Sequence, residues 1–255
     1  LSAGSNYTIS FTGADLTITA KTLTVTADEK SKVYDSADPV LTYSTVGLKS
    51  GDGLSGALTR VIGENVGTFA IRQGSITAGS NYTISFTGAD LTITAKTLTI
   101  TADAKSKVYD SADPVLTYTQ SGLKSGDRIT GELARVTGED VGVFGIKQGT
   151  VSAGSNYLIT FNSANLTITE KSITVVVSTD FLIRVGATIQ KTATYVGKGT
   201  LTWSASPAEI CTISETGIVK AVRTGFCTVT AKVSANGNYQ AGSDSTVFFI
   251  LPFND

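Results

Sequence analysis

Four acidic residues recur 75 positions apart: Asp35, Asp38, Asp52 and Glu64 return as Asp110, Asp113, Asp127 and Glu139. Loop carboxylates can coordinate Ca2+, and two of them can cleave a glycoside. Neither chemistry has its pattern here: EF-hand and RTX spacing are missing, and no aromatic run lines a sugar cleft. Histidine is absent, which removes Ser-His-Asp and Cys-His catalysis and histidine metal sites. Cys211 and Cys227 lack CxxC redox spacing, and two isolated thiols make a poor metal site. Tyr34/Tyr109 and Tyr43/Tyr118 recur with the acids. They offer either a repeated ligand face or half-buried rings with hydroxyls at the rim, and the second reading is preferred. Trp203 reads as a core side chain rather than a sugar platform. Asn6-Tyr7-Thr8 and Asn81-Tyr82-Thr83 fit the N-glycosylation pattern, which is short enough to arise by chance. The expectation is therefore a non-enzyme with no catalytic, cofactor or metal residue to assign. No cofactor is required, and Ca2+ is the one ion its acids could take.

Composition narrows the class further. Charged residues make up 16% and the net charge is −1, without the basic face of a nucleic-acid binder. No apolar run approaches the roughly 20 residues needed to cross a bilayer. No signal peptide is visible and Met is absent, which suggests a slice of a longer or processed product. Hydrophobic residues at 41% can build cores. The wealth of Gly, Thr and Ser, without amphipathic helix patterns, gives an all-β fold class.

The elements that must carry these residues follow from one stretch, Leu91–Thr101, LTITAKTLTIT. It recurs as LTITAKTLTVT from Leu16 and as LTITEKSITVVV from Leu166. Each copy is two half-buried strands, apolar on one face and threonine on the other. Apolar residues are odd-numbered before Ala95-Lys96 (Leu91, Ile93) and even-numbered after it (Leu98, Ile100). With side chains alternating at period two, the two runs must serve different cores. The last strand of one domain thus passes straight into the first strand of the next, over a joint too short to swing freely.

The repeat period is 75 residues. Residues 1–20 match 76–95 at 18 of 20 positions, 21–50 match 96–125 at 25 of 30, and 51–75 match 126–150 at 14 of 25. Expected domains are a C-terminal hairpin of an incomplete preceding unit (1–20), two complete units (21–95 and 96–170) and a separate domain (171–255). Each unit should hold about six short strands. The last two form a hairpin, with Tyr82, Ile84 and Phe86 on one face, a turn at Thr87–Asp90, then Leu91 and Ile93.

Several motifs occur twice in the same order. They are Lys32-Val33-Tyr34-Asp35-Ser36-Ala37-Asp38-Pro39-Val40-Leu41-Thr42-Tyr43, the Gly47-Leu48…Gly51-Asp52 loop, Gly63-Glu64-Asn65-Val66-Gly67 and Ala78-Gly79-Ser80-Asn81-Tyr82. They resemble the MBG repeat, found in tandem in very large bacterial surface and adhesin-like proteins. The family form often carries Tyr-Gly-Asp where this chain has Tyr-Asp-Ser. The resemblance implies an extracellular, cell-surface location and a stalk or filament role, and it brings no catalytic residue.

After Lys171 the period stops. Seven expected strands between Ile173 and Leu251 suggest an Ig-like sandwich. Thr202–Pro207, Cys211–Ile213, Gly217–Val219, Gly225–Ala231 and Gly237–Tyr239 resemble bacterial Ig-like domains of the cysteine-paired kind. That resemblance implies a Cys211–Cys227 disulfide in an oxidising environment.

Two functions are weighed: a structural stalk that sets length and stiffness, and a multivalent carbohydrate- or protein-binding module relying on avidity. The first is preferred. Domains roughly 30 Å across would line up over on the order of 100 Å. Expected partners are further copies or upstream repeats through residues 1–20, and a host or matrix glycan or protein, with no nucleic acid and no membrane span.

Overall fold

Threonine alternating with Leu23 and Val25 makes β1 (Lys21–Ala27) a strand whose apolar face is fully buried. The computed structural model describes residues 1–180 and 182–253, and every regular element among them is a strand. Contacts divide the chain into two compact units. One holds Leu1–Leu98 with Gly122–Asp127 and Ala153–Ile159; the other holds Thr99–Ser121, Arg128–Ser152 and Thr160–Asp255.

The first repeat continues with β2 (Lys30–Val33), β3 (Tyr43–Val46), β4 (Thr59–Arg60), β5 (Gly67–Arg72), β6 (Tyr82–Thr87) and β7 (Ala89–Thr94). Two sheets result, in the orders β3-β1-β6 and β2-β7-β5-β4. Ala27, Leu58, Ile71, Ile76 and Leu91 form the core, joined by the half-buried Tyr43, Ile84 and Phe86 of the β3-β1-β6 sheet. The expected hairpin of β6 with β7 does not form. β6 lies parallel to β1, from Lys21↔Tyr82 to Thr26↔Thr87. β7 instead pairs antiparallel with β5 and parallel with β2. Gly88 carries the chain from one sheet to the other, so each strand presents its apolar face to the same core from opposite sides.

The second repeat places β8 (Lys96–Ala102), β9 (Lys105–Val108), β10 (Tyr118–Ser121), β11 (Ala134–Arg135), β12 (Gly142–Lys147), β13 (Tyr157–Asn162) and β14 (Ala164–Thr169) in the same strand orders, β10-β8-β13 and β11-β12-β14-β9. Leu91 of β7 lies in the first repeat's core, whereas Ala102 of β8 packs with Ile146 and Leu166. The change of parity at Ala95 is therefore a change of core.

Nine strands follow among the described residues: β15 (Val175–Val177), β16 (Leu182–Arg184), β17 (Thr188–Gln190), β18 (Ala193–Tyr195), β19 (Leu201–Ser206), β20 (Cys211–Ile213), β21 (Ile218–Ala221), β22 (Gly225–Val233) and β23 (Gly242–Leu251). They form sheets β15-β18, β16-β23-β22-β19 and β17-β21-β20. They exceed the seven expected, because the stretch from Ile189 to Tyr195 is divided between β17 and β18 and the short β16 adds one more. Lys191 lies at the split, 1% exposed, and its Nζ donates to Ser178 O, Asp180 O and Asp180 Oδ2. A charge buried this way needs several acceptors, and the chain bends to supply them. Cys211 on β20 is bonded to Cys227 on β22, Cα to Cα 6.1 Å, linking two sheets. Trp203 is half-buried against the cluster that holds both cysteines.

Residues 1–20, expected as a hairpin, carry no strand. Their apolar side chains lie open, Leu16 and Ile18 at 88% exposure each. The same sequence at 76–95 becomes β6 and β7 because β1, β2 and β5 supply backbone partners. Among the described residues no such partners flank residues 1–20, and an unpaired strand is marginal in water.

Close approach explains Gly63. A Cβ there would stand 2.0 Å from Phe69 Cε1, and one at Gly138 equally close to Phe144. Gly63→Ala is expected to destabilise the first repeat by about 2 kcal/mol through overpacking. Urea unfolding followed by circular dichroism checks this.

Candidate functional site

The recurring acids lie in two constructions, an ion cluster inside each repeat and a joint at its end. In the cluster, β2 brings Lys32 into the interior, 8% exposed, where its ammonium meets Asp38 at 2.7 Å and Glu64 at 2.6 Å. Arg60 on β4 grips Asp38 with both arms, Nε to Oδ2 at 2.6 Å and Nη2 to Oδ1 at 3.1 Å. It also donates to the carbonyls of Val61 and Gly63 and to Glu64, and its guanidinium lies 5.7 Å from the Phe69 ring centre. Lys107, Asp113, Arg135, Glu139 and Phe144 repeat the arrangement. Hydrogen bonds from Arg60 and then Lys32 bring the Asp38 carboxyl down to about 2. Glu64, Asp113 and Glu139 are held below their ordinary values by the same kind of donor, Lys32 first for Glu64, Arg135 first for Asp113 and Lys107 first for Glu139. These acids, candidates for Ca2+ by sequence, are matched to cations of the protein, and among the described residues no three acids converge to hold a metal.

The joint inside the first unit is built around Tyr34, 5% exposed. Its ring packs edge-on against Tyr157, centres 5.5 Å apart, and Lys124 Nζ lies 4.9 Å from its centre. The hydroxyls of Tyr34 and Tyr157 both donate to Asp127 Oδ2, at 2.9 and 2.6 Å. They hold the Asp127 carboxyl below its usual range, Tyr157 contributing first. Tyr157 is itself pushed up to about 12, by burial first and then by Asp127. Beside the rings, Asn156 accepts from the Val66 amide at 2.9 Å and donates to Asn65 Oδ1 at 3.0 Å. Its carbonyl accepts from the Lys96 amide, and Lys96 Nζ pairs with Asp35 at 2.8 Å. Asp35 adopts φ 70°, left-handed backbone that favours glycine. This is the position where the MBG form often carries Gly. Aspartate tolerates that conformation better than most residues and adds the ion pair to Lys96.

The second unit repeats the joint with the C-terminal domain. Tyr109 packs edge-on against Tyr239 at 5.5 Å, and Asp110, φ 66°, pairs with Lys171 at 2.7 Å. Asn238 accepts from the Val141 amide and donates to Asp140, and its carbonyl accepts from the Lys171 amide. The Asn-Tyr pair of a domain thus meets the Tyr-Asp corner and the Gly-Glu-Asn/Asp-Val loop in both joints.

Of the four tyrosines expected as half-buried rings, Tyr43, Tyr109 and Tyr118 are so, and Tyr43 packs on its own core. Tyr34 is not: it is buried against Tyr157 and Lys124. The Asn156-Tyr157 and Asn238-Tyr239 partners escaped sequence reasoning, although the shared Asn-Tyr dipeptide was visible in both. Tyr34→Phe removes one of two hydroxyls on Asp127, worth about 1 kcal/mol. The Val66 amide should then exchange about fivefold faster by hydrogen-exchange NMR.

Solved structures of tandem β-domain proteins resemble the chain distantly. Drosophila N-cadherin EC1-3 is 10% identical with a TM-score of 0.27, over 76% of this chain and 79% of that one. A SusE-like surface-located polysaccharide-binding protein from the Bacteroides thetaiotaomicron heparin utilisation locus is 13% identical with a TM-score of 0.24, over 65% of this chain and 36% of that one. Three N-terminal domains of the bacteriophage RB49 outer capsid protein Hoc are 11% identical with a TM-score of 0.22, over 84% of this chain and 93% of that one. No curated protein matches the chain. Residues 23–92 and 98–167 each match the family described as MBG domain (YGX type), together more than half of the sequence. With both repeats matched and the Tyr-Asp corner of each placed at its joint, the chain belongs to the MBG domain family of YGX type.

Proposed function

We propose that this chain is a spacer segment of a bacterial surface protein, whose domains are fixed to one another by built joints instead of flexible linkers. MBG domains are typical of bacterial surface proteins. The observation that carries the reading is the joint made twice from the same parts: an edge-on tyrosine pair, an asparagine holding a loop amide, and a Lys–Asp ion pair beside left-handed backbone. A linker that needs only to connect has no use for three matched contacts at each end. The Cys211–Cys227 bond suits an extracellular setting. No catalytic step belongs to this reading.

Stiffness is the testable content. Tyr34→Ser with Asn156→Ala should broaden the distribution of interatomic distances in small-angle scattering, while circular dichroism stays unchanged. A wild-type distribution already as broad as the variant's would overturn the spacer reading.

A further inference from the structure

The first repeat carries the receiving half of a joint, and among the described residues no Tyr-Asp corner packs against it. Asn81, Tyr82, Lys49 and Asp52 occupy the positions of Asn156, Tyr157, Lys124 and Asp127, 75 residues on. Their local bonds are already made. Tyr82 donates to Asp52 at 2.5 Å, and the Lys49 amide donates to the Tyr82 hydroxyl at 3.1 Å, as the Lys124 amide does to Tyr157 at 2.9 Å. The Lys21 amide donates to Asn81 O at 2.9 Å, matching Lys96 to Asn156 O at 3.0 Å and Lys171 to Asn238 O at 2.9 Å. What differs is cover. Tyr157 is buried and Asn156, Lys124 and Asp127 are half-buried, whereas Tyr82 is half-buried and Asn81, Lys49 and Asp52 are exposed. Asp127 takes two tyrosine hydroxyls and Asp52 takes one among the described residues. Lys96 and Lys171 pair with Asp35 and Asp110, and Lys21 has no ion pair among the described residues. Ile18 to Ala20 run along the same cleft, which is lined by Lys21, Lys49, Asp52, Asn81 and Tyr82.

We propose that this face is a socket for a further MBG repeat, joined in the same chain through Ala20. The occupant would offer a Tyr-Asp corner like Tyr34-Asp35 and a loop like Asn65-Val66. Residues 1–20 fix its identity, because they carry the last 20 residues of a repeat at 18 of 20 positions and end in the Ala-Lys joint that both repeats share. In that repeat they would become the counterparts of β6 and β7. The proposal rests on the spacer reading, since it extends the same joint by one domain.

The test is the full chain preceded by a copy of residues 21–75, so that residues 1–20 complete a third repeat. Amide exchange is read at the added counterpart of Val66, and at Val66 and Val141 themselves. The socket predicts that the added amide exchanges about tenfold more slowly than in the same chain carrying Asn81→Ala. Asn81 is exposed, so that substitution leaves the first repeat folded. An added amide that is unprotected, or indifferent to Asn81→Ala, while Val66 and Val141 stay protected, overturns the socket and leaves the spacer reading standing. Loss of protection at Val66 and Val141 too would overturn both. An added segment that stays unfolded also counts against the socket, because it lacks nothing that residues 21–95 possess.

Discussion

Reducing the Cys211–Cys227 bond should lower the melting temperature of the C-terminal domain by about 15 °C and leave both repeats unchanged. The bond closes a separation of 16 residues, and cross-linking a loop of that size restricts the unfolded chain by about 3 kcal/mol. A domain of this size shifts roughly 4–8 °C per kcal/mol. Both sulfur-bearing residues are fully buried, in a cluster with Val229, Phe248 and Ile250, so reduction also leaves two thiols in an apolar interior. The chain supplies its own reporter. Its single tryptophan, Trp203, packs on that cluster, and the repeats contain neither Trp nor Cys. Trp fluorescence therefore follows the last domain, while circular dichroism follows all of them. An unchanged fluorescence transition in reductant, or in Cys211→Ala/Cys227→Ala, would show that the bond contributes nothing.

The second large effect lies in the ion cluster. Arg60→Leu should destabilise the first repeat by about 2 kcal/mol, and Arg60→Lys by more than half of that, because lysine cannot make the two-armed grip on Asp38. The loss extends past one ion pair, since the carbonyls of Val61 and Gly63 lose their donor and Asp38 and Glu64 are left with Lys32 as their one cation among the described residues. The cluster also sets an acid limit. Asp38 sits at about 2 in the folded protein, below its value in an unfolded chain. Its contribution is present above the ordinary carboxylate range and is lost as pH falls from about 4 to 2. Lys32 and Arg60 are raised, chiefly by Asp38. Their share persists below their ordinary values and is lost only as strong base is approached. Melting temperature should thus fall between pH 4 and 2, less steeply in Arg60→Leu/Arg135→Leu. Asp38 and Glu64 are partly exposed, so added salt should shrink the difference. Identical acid profiles in wild type and variant would show that the cluster does not set the limit.

The sequence by itself determined the all-strand class, the repeat and the switch of cores. Alternation of apolar residues with threonine is a local record of which face is buried, and the shift from Leu91 and Ile93 to Leu98 and Ile100 records a new core as directly. The four recurring motifs marked the family. The sequence could not say which strands pair: β6 and β7, adjacent in the chain, look like a hairpin, yet β1 and β5 compete for their backbones and win them into separate sheets. Nor could it show what the recurring tyrosines and acids do. Period-two alternation reports burial but not the identity of the covering group. Tyr34 and Asp127 lie 93 residues apart, and Asn65 and Asn156 lie 91 apart. Loop acids read as candidate Ca2+ ligands until the fold brings Lys32 and Arg60 inward to meet them. Only the tertiary structure decided these matches, because a hydrogen bond between distant loops leaves no periodic trace in either of them.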